Sequence, residues 1–457
     1  MATVQVNRRT AAARLDRLPI TAVHRQMLWI VAIVFFFELG DLNAFAFAAP
    51  AVMKFWGLSV STISHIVSWT FFGMFLGAVS GGWFSDRLGR KKALLLTTAW
   101  YSAFSLLNAA VQGTFGLSVT RLLTGAGLSA MTVIGMTYIS EMFPAKQRGA
   151  YQGWVMTIGL VGIPVTAYVA RFAIPIASWG WRLVFVWGSL GVLVLLFAHR
   201  LEESPRWYES RGELGEADAV LDRIEARARA QFGELPPVLE AVELPRQLSR
   251  QPSRQPPQQH GRYSDLLAPA YLPRTVMIVT VWVAQTLGFY GFTAWVPTLL
   301  VAHGFSLVQS LAWSSAMTIG AVPGALLSAV ISDRWERKWS IAVVALLIAC
   351  CGILYGATFR VAAIVIFGFL VAMFSQTFAP LLYAYTPECF PTHIRNSGSG
   401  IGYGIGRLAN VFGPLVVAFL FNHYGYKSVF AYVGAMWLLV AAIVSAFGPL
   451  TRGRTLA

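Results

Sequence analysis

Four charged side chains fall inside otherwise apolar stretches: Glu38 and Asp41 close together, Arg121, and Arg407 far downstream. A charge at the centre of a membrane-spanning helix costs about 2.5–3.5 kcal/mol on insertion scales, so such residues mark function by default. Carboxylates in that setting can load and release protons, and a guanidinium can hold an anion. Glu38 precedes Asp41 by three residues, so both face a similar side of a helix. Arg407 follows Tyr403 by four and shares its face, at the end of the glycine-rich run from Gly398. Repeated glycines there allow close helix approach and bending. A guanidinium is a planar, permanently charged fork that suits a carboxylate. Pairing of Arg407 with Glu38 or Asp41 is the alternative. Gln285, Tyr290, Trp295 and Asn410 complete the expected substrate contacts, polar and aromatic groups in an apolar slot.

The elements that must carry these residues are membrane helices. Hydrophobic residues make up 56% of the chain and charged residues only 12%, with a mean hydropathy of +0.60. A soluble domain carries roughly 25% charged residues, which excludes a globular reading. Apolar stretches long enough to cross a bilayer are expected near 26–53, 61–84, 93–112, 115–140, 149–172, 179–199, 274–301, 308–331, 340–358, 361–386, 396–421 and 428–449. An even number of spans puts both termini on one side. Of the 35 Lys and Arg residues, Lys54, Arg171, Arg182, Arg360 and Lys427 fall on the opposite side, and Arg121 and Arg407 within the membrane. The remainder lie with the termini, which predicts cytoplasmic termini. The net charge of +15 therefore reflects topology, and nucleic acid is not an expected partner.

The chain also repeats itself. Gly82-Trp83-Phe84-Ser85-Asp86-Arg87-Leu88-Gly89-Arg90-Lys91 returns as Ala329-Val330-Ile331-Ser332-Asp333-Arg334-Trp335-Glu336-Arg337-Lys338, 247 residues on. Glu141-Met142-Phe143-Pro144 with Arg148 returns as Glu388-Cys389-Phe390-Pro391 with Arg395, at the same offset. Pro50/Pro297, Gly57/Gly304, Gly73/Gly320 and Gly77/Gly324 also fall on it. A constant offset means two homologous halves, the mark of a secondary transporter with a site between repeats. Asp86 and Arg90, paired with each other or with the ends of neighbouring helices, Glu141 with Arg148, and the copies Asp333, Arg337, Glu388 and Arg395 are expected to act as gating clamps. Such clamps would hold the halves together in one state and break in the other. Anchoring of span ends by snorkelling Arg and Lys is the plainer reading.

The expected organisation is an N-terminal segment 1–25, a six-helix bundle 26–199, a linker 200–273, a second bundle 274–449 and a tail 450–457. Within the linker, Ser204 suits an N-cap and Pro205 a first helical position, and residues 205–230 read as short amphipathic helices. Pro245 to Gly261 has too few apolar residues to fold. The basic N-terminus runs into a long span with no cleavage site, so it is expected to stay uncleaved. Cys350, Cys351 and Cys389 show neither a disulfide framework nor metal-ligand spacing. No nucleophile–base constellation suggests an enzyme.

The signature loop Gly82–Lys91, the run Arg121-Leu122-Leu123-Thr124-Gly125-Ala126-Gly127 and the segment Glu203-Ser204-Pro205-Arg206-Trp207 together resemble the major facilitator superfamily, in its sugar-porter and organic-ion branches. The second copy departs from the pattern at Ala329 and Glu336. The resemblance implies an all-α membrane protein of twelve helices in two pseudo-symmetric six-helix bundles. It also implies that Asp41 and Arg121 pair and couple transport to protons, with Glu38 as a second proton site or part of their network. In the organic-ion branch the span-eleven residue twelve beyond the cytoplasmic Arg is basic in anion carriers, and here Arg407 stands twelve beyond Arg395. The expectation is a monomeric proton symporter of a bacterial inner membrane, importing a small aromatic or heteroaromatic monocarboxylate such as nicotinate. It would need no cofactor beyond the proton gradient, its partners being the anion, protons and the lipid bilayer. Uptake of a sugar or organic cation, proton-driven drug efflux and a non-transporting membrane sensor are the alternatives.

Overall fold

The computed structural model describes residues 10–238, 263–391 and 394–451, without the side chains of Tyr263, Ala329, Ser332, Asp333, Arg334 and Asn396. The low-complexity stretch from Pro245 to Gly261 lies outside the described residues. Helices account for all the regular structure among them.

Among the described residues, twelve helices are long and apolar enough to cross a membrane. Spans one to six are Ala22–Trp56, Val60–Leu88, Arg90–Ala110, Thr114–Met142, Arg148–Ile176 and Trp181–Arg200. Spans seven to twelve are Leu272–Thr293, Leu307–Ser328, Arg337–Ala357, Val361–Glu388, Ser397–Tyr424 and Tyr426–Phe447. Two of them depart from a uniform α-helix. Span seven, expected as one stretch over 274–301, stops at Thr293 and resumes as Val296–Ala302. Pro297, in the first turn of the second piece, has no N–H to continue the hydrogen-bond ladder. Span six changes to a 3-10 helix over Leu190–Arg200.

The sequence repeat has physical content at each step. Span one ends at Gly57 with φ +65°, and its counterpart Gly304 has φ +106°; both sit in the left-handed region that favours glycine. Two residues on, Ser59 accepts from the backbone N–H of Thr62, and Ser306 caps Gln309 in the same way. A Cβ at Gly73 or Gly77 would meet the backbone of Leu122 or Ala126 on span four. At Gly320 and Gly324 it would meet Phe369 and Met373 on span ten. Small residues at these crossings let two helix backbones touch, which carries membrane helix association. Tyr138 donates to the carbonyl of Glu202 at 2.6 Å, and Tyr385 to that of Pro449 at 2.9 Å. Each ties a span to the exit of its bundle's last helix.

The bundles meet where span two packs on span eleven and span five on span eight. On the side away from the termini, Val296–Ala302 lies against span one, with Leu299 and Leu300 fully buried.

The described part of the linker is folded. It folds as Pro205–Ser210 and Leu214–Phe232, and the N-terminal helix Ala11–Asp16 docks on them. Arg14 reaches Asp222 at 2.6 Å, Glu225 at 2.9 Å and Asp218 at 3.1 Å; Arg17 reaches Glu225 at 2.8 Å. Arg229 adds a third guanidinium to Glu225 at 3.0 Å. Burial alone would raise the Glu225 carboxyl, but hydrogen bonds from Arg14 and Arg17 hold it below its ordinary value of 4.5. A depressed carboxyl stabilises docking above the unfolded-state value, and that contribution is lost as pH falls through the depressed one. Glu225→Gln should therefore raise hydrogen exchange of residues 11–16 about tenfold or more at pH 7, because Arg14 and Arg17 lose their shared buried partner. Acidification should produce the same loosening in the unaltered chain. Unchanged protection in both experiments would show that apolar packing alone holds the helix.

Candidate functional site

The lower part of the second bundle encloses a cavity of about 120 Å³. An apolar cavity of about 150 Å³ takes up benzene, so this one is of single-ring size. Span seven contributes Trp282, Gln285, Phe289 and Tyr290 to its wall, span ten Gln376 and Tyr383, and span eleven Tyr403 and Arg407. Trp282 stands edge-on to Tyr383 and Tyr403, with ring centroids 4.9 and 5.4 Å apart. The indole N–H of Trp282 donates to Thr386 at 3.0 Å, which fixes the ring. Gln285 and Gln376 make no hydrogen bond among the described residues, so both amides remain open to a ligand.

Arg407 sits at this wall without a carboxylate partner among the described ion pairs. Its Nη2 donates to the Tyr403 hydroxyl at 2.5 Å, while Nη1 is buried with no hydrogen bond. A guanidinium held by one phenol and a π-face keeps its charge and part of its donor fork available. Asn410, one turn further, is buried with both amide atoms unpartnered. Trp295 does not join the wall: it is 1% exposed at the break in span seven, packed in the core.

Glu38 approaches from the other bundle. One carboxylate oxygen accepts from Thr132 at 2.9 Å, and the second is buried without a partner. Glu38 lies within electrostatic reach of Arg407 and of Asp41, and Tyr290 feels both Glu38 and Arg407.

Asp41 and Arg121 come together inside the first bundle, as the resemblance implied. Their closest atoms are 3.6 Å apart at exposures of 0% and 1%. The pair is loose. Asp41 accepts a 2.5 Å hydrogen bond from Ser105, and Arg121 donates to Thr70 at 3.4 Å. Rings of Phe45 and Phe185 flank the guanidinium at 5.5 and 6.0 Å. A Cβ at Gly188 would strike the Asp41 carboxylate, so glycine there admits the acid. Arg121 also borders a second, smaller cavity of about 30 Å³ between the bundles, with Asn43, Thr70, Phe71 and Tyr290. Tyr290 thus borders both spaces.

At the terminus-side clamps Asp86 and Arg90 pair as expected, and Arg90 also holds the end of a neighbouring helix, but Glu141 and Arg148 differ from the expectation. Glu141 does not pair with Arg148. It accepts from Arg90 at 2.9–3.0 Å and from Ser204 at 2.5 Å, and Arg90 also holds Asp86 at 2.8 Å. Arg148 turns to Asp16 at 3.8 Å, where Arg206 joins it at 3.4 Å. The second bundle repeats the first: Arg337 pairs with Glu388, 247 residues from Arg90 and Glu141. The partner of each signature arginine is thus the end of span four or ten, within its own bundle. None of these pairs joins one bundle to the other. Arg395 takes part in interactions of its own, and Asp333 lies outside the residues whose side chains are described. Glu203 adds a lock at the glycine turn, accepting from the Lys91 backbone N–H at 2.9 Å, and the Trp207 indole donates to the Asp86 carbonyl at 2.8 Å.

Ser105, Thr132, Thr70 and Trp282 serve the site without having been expected from sequence. Isolated hydroxyls in apolar spans usually bond their own backbone, so their presence carries no signal of a buried carboxylate.

Comparisons with known proteins place these features in context. The family described as "Sugar (and other) transporter" matches residues 21–457. A putative metabolite transport protein of Bacillus subtilis is 45% identical over 97% of this chain and 96% of its own length. A niacin transporter of Acinetobacter baylyi is 31% identical over 97% of this chain and 98% of its own. Among solved structures, the xylose transporter XylE from E. coli, in a partially occluded inward-open conformation, aligns with a TM-score of 0.71. It covers 95% of this chain and 100% of that one at 19% identity, a likeness of fold.

Proposed function

The chain belongs to the sugar (and other) transporter family, in the major facilitator superfamily, and within it we propose a proton-coupled importer of a small aromatic or heteroaromatic monocarboxylate. It is a multi-pass membrane transporter of metabolites and not an enzyme. Nicotinate is the best-matching example of the substrate class. The observation that carries the reading is Arg407, whose unpartnered Nη1 stands at a one-ring cavity walled by Trp282, Tyr383 and Tyr403. The niacin transporter among the relatives supports the same class.

In this reading the ring stacks within the aromatic wall, and the carboxylate takes the fork of Arg407. Gln285 and Gln376 address ring heteroatoms or hydroxyls. Glu38 and the substrate compete for the one guanidinium, so an arriving anion favours protonation of Glu38. Asp41 gives up its loose contact with Arg121 as the bundles rock, and loads a proton when that partner is withdrawn. Tyr290, bordering both cavities, links the two events. The termini face the cytoplasm, by the excess of Lys and Arg on their side. The machine is a bacterial inner-membrane symporter whose functional unit is one chain.

Counterflow in proteoliposomes tests the substrate class directly. Labelled nicotinate should exchange, with unlabelled benzoate-type acids competing and nicotinamide and xylose competing at least about tenfold less well, the loss expected for a missing charged hydrogen bond. Equal competition by acid and amide would remove the role of Arg407, and sugar counterflow would remove the substrate class.

A further inference from the structure

A third cavity, of about 350 Å³, opens on the terminus side between the start of span one, the end of span six and the last turns of Leu214–Phe232. It is lined by Thr21, Val23, Gln26, His199, Arg200, Arg227 and Gln231, together with Ala22. Among the described residues, none of those lining it is acidic. Arg200 makes no ion pair among the described residues; it only overlies the Phe197 ring at 5.3 Å. Arg227 has Glu202 no nearer than 3.9 Å, and Glu202 is already held by Arg223 at 2.9 Å. Gln231 uses its carbonyl to accept from the Ala22 backbone N–H at 3.0 Å, which leaves its NH₂ free. The cavity thus gathers two guanidiniums, an imidazole and two amides around a space that no carboxylate lines among the described residues.

Beyond its lining residues, spans one and six carry exposed apolar side chains toward their middles. In the 3-10 helix of span six, residues three apart eclipse one another, so Leu193 and Leu196 form a column beneath His199. Both leucines are exposed. On span one, Trp29 and Ile33 follow Gln26 at helical spacing and are exposed as well. A cationic pocket above two exposed apolar columns matches the chemistry of an anionic lipid: phosphate above, acyl chains below.

We propose that this cavity is a binding site for the phosphate headgroup of an anionic phospholipid, held by Arg200, Arg227 and His199. The lipid would join span one, span six and the cytoplasmic helix at one point. A free phosphate shares the headgroup chemistry but leaves the apolar columns unused.

The test titrates the purified full-length protein with phosphatidylglycerol, phosphatidylcholine and inorganic phosphate, scored by native mass spectrometry and thermal shift. Phosphatidylglycerol should bind and stabilise better than the other two. Arg200→Gln with Arg227→Gln should weaken it about twenty-five-fold, at about fivefold for each basic residue near a membrane surface. Lys92→Gln, an exposed cytoplasmic control outside the cavity, should change it less than twofold. If the double variant does not fold, Gln26→Trp, which fills the cavity without removing a charge, should weaken phosphatidylglycerol as well. Equal binding of phosphatidylglycerol and phosphatidylcholine, inorganic phosphate matching the lipid, or unaltered affinity in the cavity variants would each overturn the proposal.

Discussion

Arg407→Ala is expected to abolish saturable binding of the aromatic acid, and Arg407→Lys to weaken it by about tenfold to a hundredfold. The estimate follows from a hydrogen bond to a charged group contributing about 1.5–3 kcal/mol, with two such bonds possible from a planar fork. Lysine keeps the charge but offers a point donor on a flexible stem. It also loses the overlap with Tyr403, whose ring lies 5.0 Å from the guanidinium carbon. Tyr403→Phe should have a smaller effect, since it removes one 2.5 Å hydrogen bond and leaves the charge. Binding can be followed through the fluorescence of Trp282, which stands in the cavity wall, and so separately from proton movement. Lysine at near-normal affinity would mean that Arg407 meets no carboxylate. The same outcome would return Arg407 to the alternative, a structural partner of Glu38 across the bundles.

Asp41→Asn should separate accumulation from exchange. One pH unit is worth about 1.4 kcal/mol per proton, or about a tenfold concentration ratio for a one-proton electroneutral symport. The variant should therefore lose that ratio, falling to about unity, while labelled and unlabelled substrate still exchange. Asparagine retains the hydrogen bond with Ser105 but leaves Arg121 buried beside a neutral group. Removing one partner of a buried pair costs about 3–5 kcal/mol, so a lowered melting temperature is expected too. Asp41→Asn combined with Arg121→Gln removes the stranded charge, and should recover stability without recovering accumulation. Loss of exchange and accumulation together in the stable double variant would show a binding role for the pair. Glu38→Gln completes the set. It should loosen the competition at Arg407, so substrate binds as well or better but no longer depends on pH.

Much of this architecture was legible in the chain because the repeat is physical as well as textual. The offset that relates Asp86 to Asp333 also relates the caps Ser59 and Ser306, the helix contacts at Gly77 and Gly324, and the pairs Arg90–Glu141 and Arg337–Glu388. Glycines and caps are local requirements, so they survive as residue types. The convergence of Asp41 and Arg121 was also readable, since few charges occur within spans and the family resemblance paired those two.

Tertiary partners were not readable to the same degree. Glu141 and Arg148 are near in sequence, yet the bend at Phe143–Pro144 carries Arg148 toward Asp16 and leaves Glu141 facing Arg90. Docking of Ala11–Asp16 depends on carboxylates about 200 residues away, at Asp218, Asp222 and Glu225. A charge-rich helix such as Leu214–Phe232 reads equally as a solvated face. Trp295 is aromatic on a lining helix, but the break before Val296 turns it into the core. A helical count along an unbroken span seven misplaces it for that reason.

The most direct test of the account is uptake of labelled nicotinate and benzoate into proteoliposomes, with and without an inward proton gradient, alongside a pH-sensitive dye inside the vesicles. Gradient-stimulated accumulation of the acid, with matching proton entry that vanishes in Arg407→Ala and Asp41→Asn, is the expected result. Accumulation of a sugar or a cation instead, or acid uptake indifferent to the gradient, would contradict it.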